Sequence, residues 1–109
     1  MDPVMLILTA LAAGAAATAG DTASGPVQDA YAGLAAQLRT RLAGREDGER
    51  LLAQYERAPQ AWQGQLAAEL AAAGAGSDVG LVTAAQAVMS VADAPGWRAG
   101  KYTTEADGG

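Results

Sequence analysis

The sequence predicts an all-α fold: a compact bundle of four long helices plus one short helix, with a hydrophobic N-terminal helix. Three observations carry this expectation. Apolar residues recur at steps of three and four in successive segments, no segment alternates with a period of two, and glycines and prolines close one segment and open the next. At 109 residues the chain is long enough for one modest core and too short for two. The bundle is expected to occupy residues 1–97, with 98–109 a flexible C-terminal linker.

The first segment runs from Asp2 to Ala19. Asp2 can cap the helix with Pro3 at its first position, and Gly20 supplies a stop. The second starts near Pro26 and carries Val27, Tyr31, Leu34, Leu38 and Leu42 on one stripe, with Gln28, Asp29, Gln37, Arg39 and Arg41 off it. Arg39, Arg41 and Arg45 gather at its end, where they suit the negative end of the helix dipole. They read as a solvated C-terminus or as a contact for lipid phosphate. "REDGERLLAQYERAP" reads as a turn at Asp47-Gly48 followed by the short helix, with Leu51, Leu52 and Tyr55 inward. Pro59 ends that helix and opens the next, which places Trp62, Leu66 and Leu70 at steps of four. After "AAAGAGSD", Ser77 or Asp78 caps a last helix with a broad apolar face of Leu81, Val82, Ala85, Val88, Met89 and Ala92. Asp93, Pro95 and Gly96 terminate it. Beyond Trp97 the tail has no core pattern and is expected to be mobile or locally docked.

Half the residues are apolar, with no phenylalanine among them. A core built largely on alanine and leucine depends on close helix contacts more than on bulky burial. A formal net charge of −5 argues against nucleic acid as a partner and against simple electrostatic adhesion to an anionic membrane. With no cysteine and no histidine there is no disulfide, thiolate metal site or Ser-His or Cys-His catalysis, and a reducing cytoplasm fits. No cofactor, metal or catalytic residue is expected, and the chain reads as a non-enzyme. Glu46, Asp47 and Glu49 lack the alternating oxygen ligands of a calcium loop, and no glycine run is followed by Lys-Ser or Lys-Thr. Tyr31, Tyr55 and Trp62 sit on apolar stripes and read as core. Trp97 and Tyr102 flank Arg98 and Lys101, either as an interfacial anchor or with Trp97 capping the bundle end.

The stretch "PVMLILTALAAGAAATAG" contains no charge. A secretory signal would have a positive start, whereas residue two is an aspartate and the first cation is Arg39, although Ala17-Thr18-Ala19 resembles a cleavage tripeptide. A permanent span needs about 20 residues for roughly 30 Å of hydrocarbon, and this stretch reaches about 27 Å. Val4, Leu6, Ile7, Leu8 and Leu11 together favour insertion by about −1.5 to −3 kcal/mol, offset by Pro3, Gly14, Gly20, Thr9 and Thr18. Burial inside the bundle is the third reading, since a helix apolar on all sides must be surrounded by protein or by lipid. A helix near balance between those surroundings can act as a switch.

The start "MDPVMLILTALAAGAAATAGDTAS", the following "VQDAYAGL", the middle "AAELAAAGA" and the end "AGKYT" resemble the N-terminal Bell domain of bacterial amyloid-signalling proteins. The resemblance runs from Met1 to about Thr103. It implies a helical bundle analogous to the fungal HeLo domains and to the four-helix killer domain of the necroptosis pseudokinase. It further implies a cell-death effector of bacterial immunity, cytoplasmic at rest and at the cell membrane when activated. In that family an NLR-type receptor templates a fibril through a short C-terminal motif, clusters the domains into a self-oligomer, and so releases the first helix onto plasma membrane lipids. The chain ends at "TEADGG" without a run rich in Val, Gly, Asn and Gln, so the amyloid motif is expected to be absent and templating falls on no residue here. What the resemblance assigns is a membrane-inserting helix carrying Val4, Met5, Leu6, Ile7, Leu8 and Leu11. The alternative is a helical adaptor in which that helix is only core and the domain recruits signalling partners.

Overall fold

The computed structural model describes residues 2–19 and 25–102, with only the backbone of residues 18 and 19. All regular structure among them is helical: α1 (Pro3–Ala19), α2 (Gly25–Leu42), α3 (Glu46–Arg57), α4 (Pro59–Ala72), a 3-10 turn (Ala75–Ser77), α5 (Val79–Ala92) and α6 (Ala94–Arg98). The radius of gyration is 13.0 Å. At 12 residues, α3 is hardly shorter than α4 or α5 at 14 each, and a five-residue α6 follows, so the helix set differs from four long and one short.

α1 forms where the capping pattern places it. Met5 N–H donates to the Asp2 carboxylate at 3.3 Å, and Pro3 occupies the first turn, where no intrahelical donor is needed. The helix lies at the centre, packed against α2, α3, α4, the 3-10 turn and α5. Leu6, Ile7, Leu8 and Leu11 join one apolar cluster with Leu34, Leu38 and Leu42 of α2, Leu52 and Tyr55 of α3, Leu66 and Leu70 of α4, and Leu81, Ala85 and Val88 of α5. Against α2 the approach is close: a Cβ on Gly14 would lie 2.4 Å from Cδ1 of Tyr31. The ring of Tyr31 therefore seats on the bare backbone of Gly14.

The second connection corrects the expected turn at Asp47-Gly48. The chain reverses earlier, at Gly44, whose φ of +85° suits glycine, and Asp47 and Gly48 already lie in the first turn of α3. Glu46, Asp47 and Glu49 there face the positive end of the helix dipole. Gly48 is buried because α3 begins against α2, where a Cβ would stand 2.9 Å from Cδ2 of Leu42. Pro59 separates α3 from α4 as expected, with Ala58 alone between the two helices.

Asp78, rather than Ser77, caps α5, accepting from Leu81 N–H at 3.2 Å. On the expected face of α5, Leu81, Ala85, Val88 and Met89 are buried and Val82 half-buried, whereas Ala92 is exposed. Asp93 ends α5 and at once caps α6, accepting from Gly96 N–H at 3.2 Å. The packing then continues past Trp97, which is 39% exposed, to Tyr102, which is 3% exposed. In the sequence Tyr102 is legible only as a flanking aromatic of a tail; in the structure it is core.

The Gly14 contact sets opposite outcomes for one substitution at two helical glycines. Gly14→Ala should lower unfolding free energy by about 1–3 kcal/mol through overpacking against Tyr31. Gly64→Ala, in open space on α4, should raise it by about 0.5–1 kcal/mol through backbone entropy. Urea titration of both variants checks the signs.

Candidate functional site

α1 is the candidate site, and burial divides its predicted residues. Leu6, Ile7, Leu8 and Leu11 are at most 1% exposed, and Val4 is half-buried beneath the 3-10 turn, where a Cβ on Gly76 would lie 3.3 Å from its Cγ2. Met5 is 38% exposed and stands apart from that set. The outer side of α1 is otherwise small: Ala12, Ala13 and Ala15 are half-buried, and Ala16 is exposed. An apolar helix can thus approach water at low cost, because its large side chains point inward and its alanines present little surface.

A polar group from α3 reaches the middle of α1. The Tyr55 hydroxyl of α3 donates to the Leu8 carbonyl at 2.7 Å in a buried setting. That oxygen has a second lone pair beyond the helical ladder, so the bond satisfies a buried hydroxyl without breaking a turn. Burial pushes the Tyr55 hydroxyl pKa up, keeping it protonated as a donor. Beside this bond an open groove of about 500 Å³ runs along α1 between α3 and the end of α5, lined by Leu8, Ala12, Tyr55, Met89, Asp93 and Tyr102 among others.

The arginines near the end of α2 stay solvent-exposed, and each also faces an acidic side chain of a neighbouring element. Arg41 Nη2 and Nε donate to Asp78 Oδ2 at 2.8 and 3.1 Å, and its Nη1 donates to the Ala73 carbonyl at 3.3 Å. Arg45 Nε donates to Glu69 Oε2 at 2.5 Å, and Arg39 stands 4.0 Å from Glu56. Glu56 also accepts from the Tyr31 hydroxyl at 3.3 Å. The Arg41 hydrogen bonds hold the Asp78 carboxyl below its ordinary value of 3.8. Burial first, then the Glu56 charge, raise the Tyr31 pKa to about 12. Sequence reasoning missed these pairs, since Asp78, Glu69 and Glu56 lie 37, 24 and 17 positions from their partners. No local spacing links them.

Among the described residues no three His, Cys, Asp or Glu side chains gather as a metal site, and no helix is long and apolar enough to cross a membrane. What the arrangement can do is store an uncharged helix and hold it by identifiable contacts.

Tyr55→Phe should cost about 1 kcal/mol of stability, the ordinary net value of one hydrogen bond, read by urea titration. Asp78, with its depressed folded pKa, contributes stability above the ordinary carboxylate range that is lost as pH falls through its folded value. Asp78→Asn retains a capping oxygen and should flatten the stability profile below about pH 4. Tyr31 behaves oppositely: its contribution is present below pH 10 and lost as pH rises from 10 to about 12, so Tyr31→Phe should reduce the alkaline loss. Thermal unfolding across pH measures both limbs.

No known family model matches the chain, and none of the curated proteins or solved structures does either.

Proposed function

We propose that this chain is a cell-death effector domain of bacterial immunity, in which amyloid-templated clustering by an NLR-type partner releases α1 onto a membrane and permeabilises it. The observation that carries this reading is the state of α1. Over 17 residues it bears no charged side chain, and it keeps its four largest aliphatic groups in the centre of the bundle. The sequence resemblance to Bell domains points the same way.

Magnitudes set the conditions. Removing Leu6, Ile7, Leu8 and Leu11 from the core into water costs about 1.5–3 kcal/mol each, a prohibitive total for a small domain. Transfer into hydrocarbon returns most of that cost, so release requires a membrane and a clustering event together. At about 26 Å, α1 is shorter than the roughly 30 Å hydrocarbon core. Several copies side by side, thinning the bilayer locally, therefore suit it better than one crossing helix.

The second reading is a helical adaptor that recruits partners without membrane activity. It is favoured by one observation: α1 packs against every long helix of the bundle, as a structural centre would.

The test is dye release from vesicles by the domain fused to an inducible oligomerisation module. Leakage on clustering and none without it supports the effector. Intact vesicles, with a lytic control active, overturn it. Met5→Asp and Ala16→Asp sharpen the comparison, because both positions are exposed at rest and should change stability by under about 0.5 kcal/mol. An aspartate in an inserting helix costs up to about 2.5–3.5 kcal/mol, so both variants should leak far less than the parent. Equal leakage from parent and variants would remove α1 as the inserting element.

A further inference from the structure

Between α3 and the end of α5 the flank of α1 opens on the groove beside Tyr55, and Tyr102 forms part of its wall. Tyr102 and the residues leading to it are held by a specific set of contacts. The Tyr102 hydroxyl donates to Asp93 Oδ2 at 2.5 Å, and the Tyr102 carbonyl accepts from Gln86 Nε2 at 3.3 Å. Lys101 N–H donates to the Gly96 carbonyl at 3.0 Å, and the Lys101 ammonium sits 5.5 Å from the Tyr102 ring centroid. Two glycines make the path possible. Gly100 turns the chain with φ of +81°, and a Cβ on Gly96 would lie 3.1 Å from Tyr102 Cε2 and closer still to the Asp93 carboxylate. Asp93 thus serves two ends at once: it caps α6 through Gly96 N–H and fastens Tyr102.

We propose that residues 99–102 are a strap that shields the flank of α1 around Leu8 and Ala12, and that its release exposes this flank while the rest of the bundle stays folded. The strap is held by one ring and two side-chain hydrogen bonds, whereas the leucine core beneath it is shared by α1, α2, α3, α4 and α5, so the strap can part before the core does. The strap also lies on α5, whose Met89 shares the groove with Leu8, so loosening it opens α1 from the side opposite its seat on Tyr31. The inference goes beyond membrane activity and holds whether or not α1 meets a lipid.

The chain contains no cysteine, so single engineered thiols report accessibility without background. Ala12→Cys places a probe in the groove, and Ala35→Cys places one in the α2 core, 4% exposed, that is reached only when the bundle unfolds. Thiol-labelling rates are compared in the parent, in Tyr102→Ala, in Tyr102→Phe and in Gly100→Ala. Gly100→Ala disturbs only the backbone turn, since nothing stands within 4 Å of the added carbon. The expected result is at least a tenfold larger acceleration at position 12 than at position 35 in Tyr102→Ala and Gly100→Ala, with Tyr102→Phe intermediate. Equal acceleration at both positions, or none at position 12, overturns the strap and leaves Tyr102 as an ordinary core residue. If Tyr102→Ala fails to fold, Gly100→Ala and Tyr102→Phe decide between the same two outcomes. Because the rates are read in solution, vesicle leakage can fail while the strap stands.

Discussion

A helix without a charged side chain has no face that water favours, and the arrangement of the other helices derives from that constraint on α1. Leu6, Ile7, Leu8 and Leu11 need apolar neighbours around much of the helix circumference. One partner helix cannot supply them, so α2, α3, α4 and α5 each contribute to the same cluster. The alanines on the remaining side of α1 then become an advantage, because a larger residue there would require a further helix to cover it.

Two kinds of contact hold this arrangement. Apolar burial supplies most of the free energy but little direction, while a few polar contacts fix orientation. The Tyr55 hydroxyl on the Leu8 carbonyl sets the height of α3 along α1. Arg41 and Arg45 tie the end of α2 to the start of α5 and to α4. Those charged groups are partly exposed, so their contribution to stability is modest; their value is in register, since a shifted helix would lose both Arg41 hydrogen bonds to Asp78 and the Asp78 capping contact together.

Much of this is legible in the sequence, and the parts that are not share a cause. The caps at Asp2 and Asp78, the break at Pro59 and the apolar stripes of α2 and α5 depend on neighbours within a few positions, and local chemistry reveals them. The start of α3 is hidden because Asp-Gly is a common turn pair; here Gly48 is needed for close packing on Leu42, a demand that only the tertiary structure makes. Tyr102 does not read as core because a single aromatic after a glycine-rich stretch has no periodicity, and its partners Asp93 and Gln86 are reached by a turn rather than by helical spacing. Within the candidate site the large aliphatics of α1 are identifiable as a group, yet the outward position of Met5 depends on which side of α1 the 3-10 turn covers.

The seat of Tyr31 on Gly14 bears on time as well as on energy. With the ring lodged where a side chain would stand, sliding or turning α1 would drive its neighbouring side chains against Tyr31, and lifting the ring away would also break the Tyr31 bond to Glu56. A small shift of α1 past α2 is therefore opposed by the ring as well as by lost apolar contact. Where a packed contact of this kind must break before two helices can part, it adds to the barrier and slows their separation, whatever the equilibrium between the two arrangements.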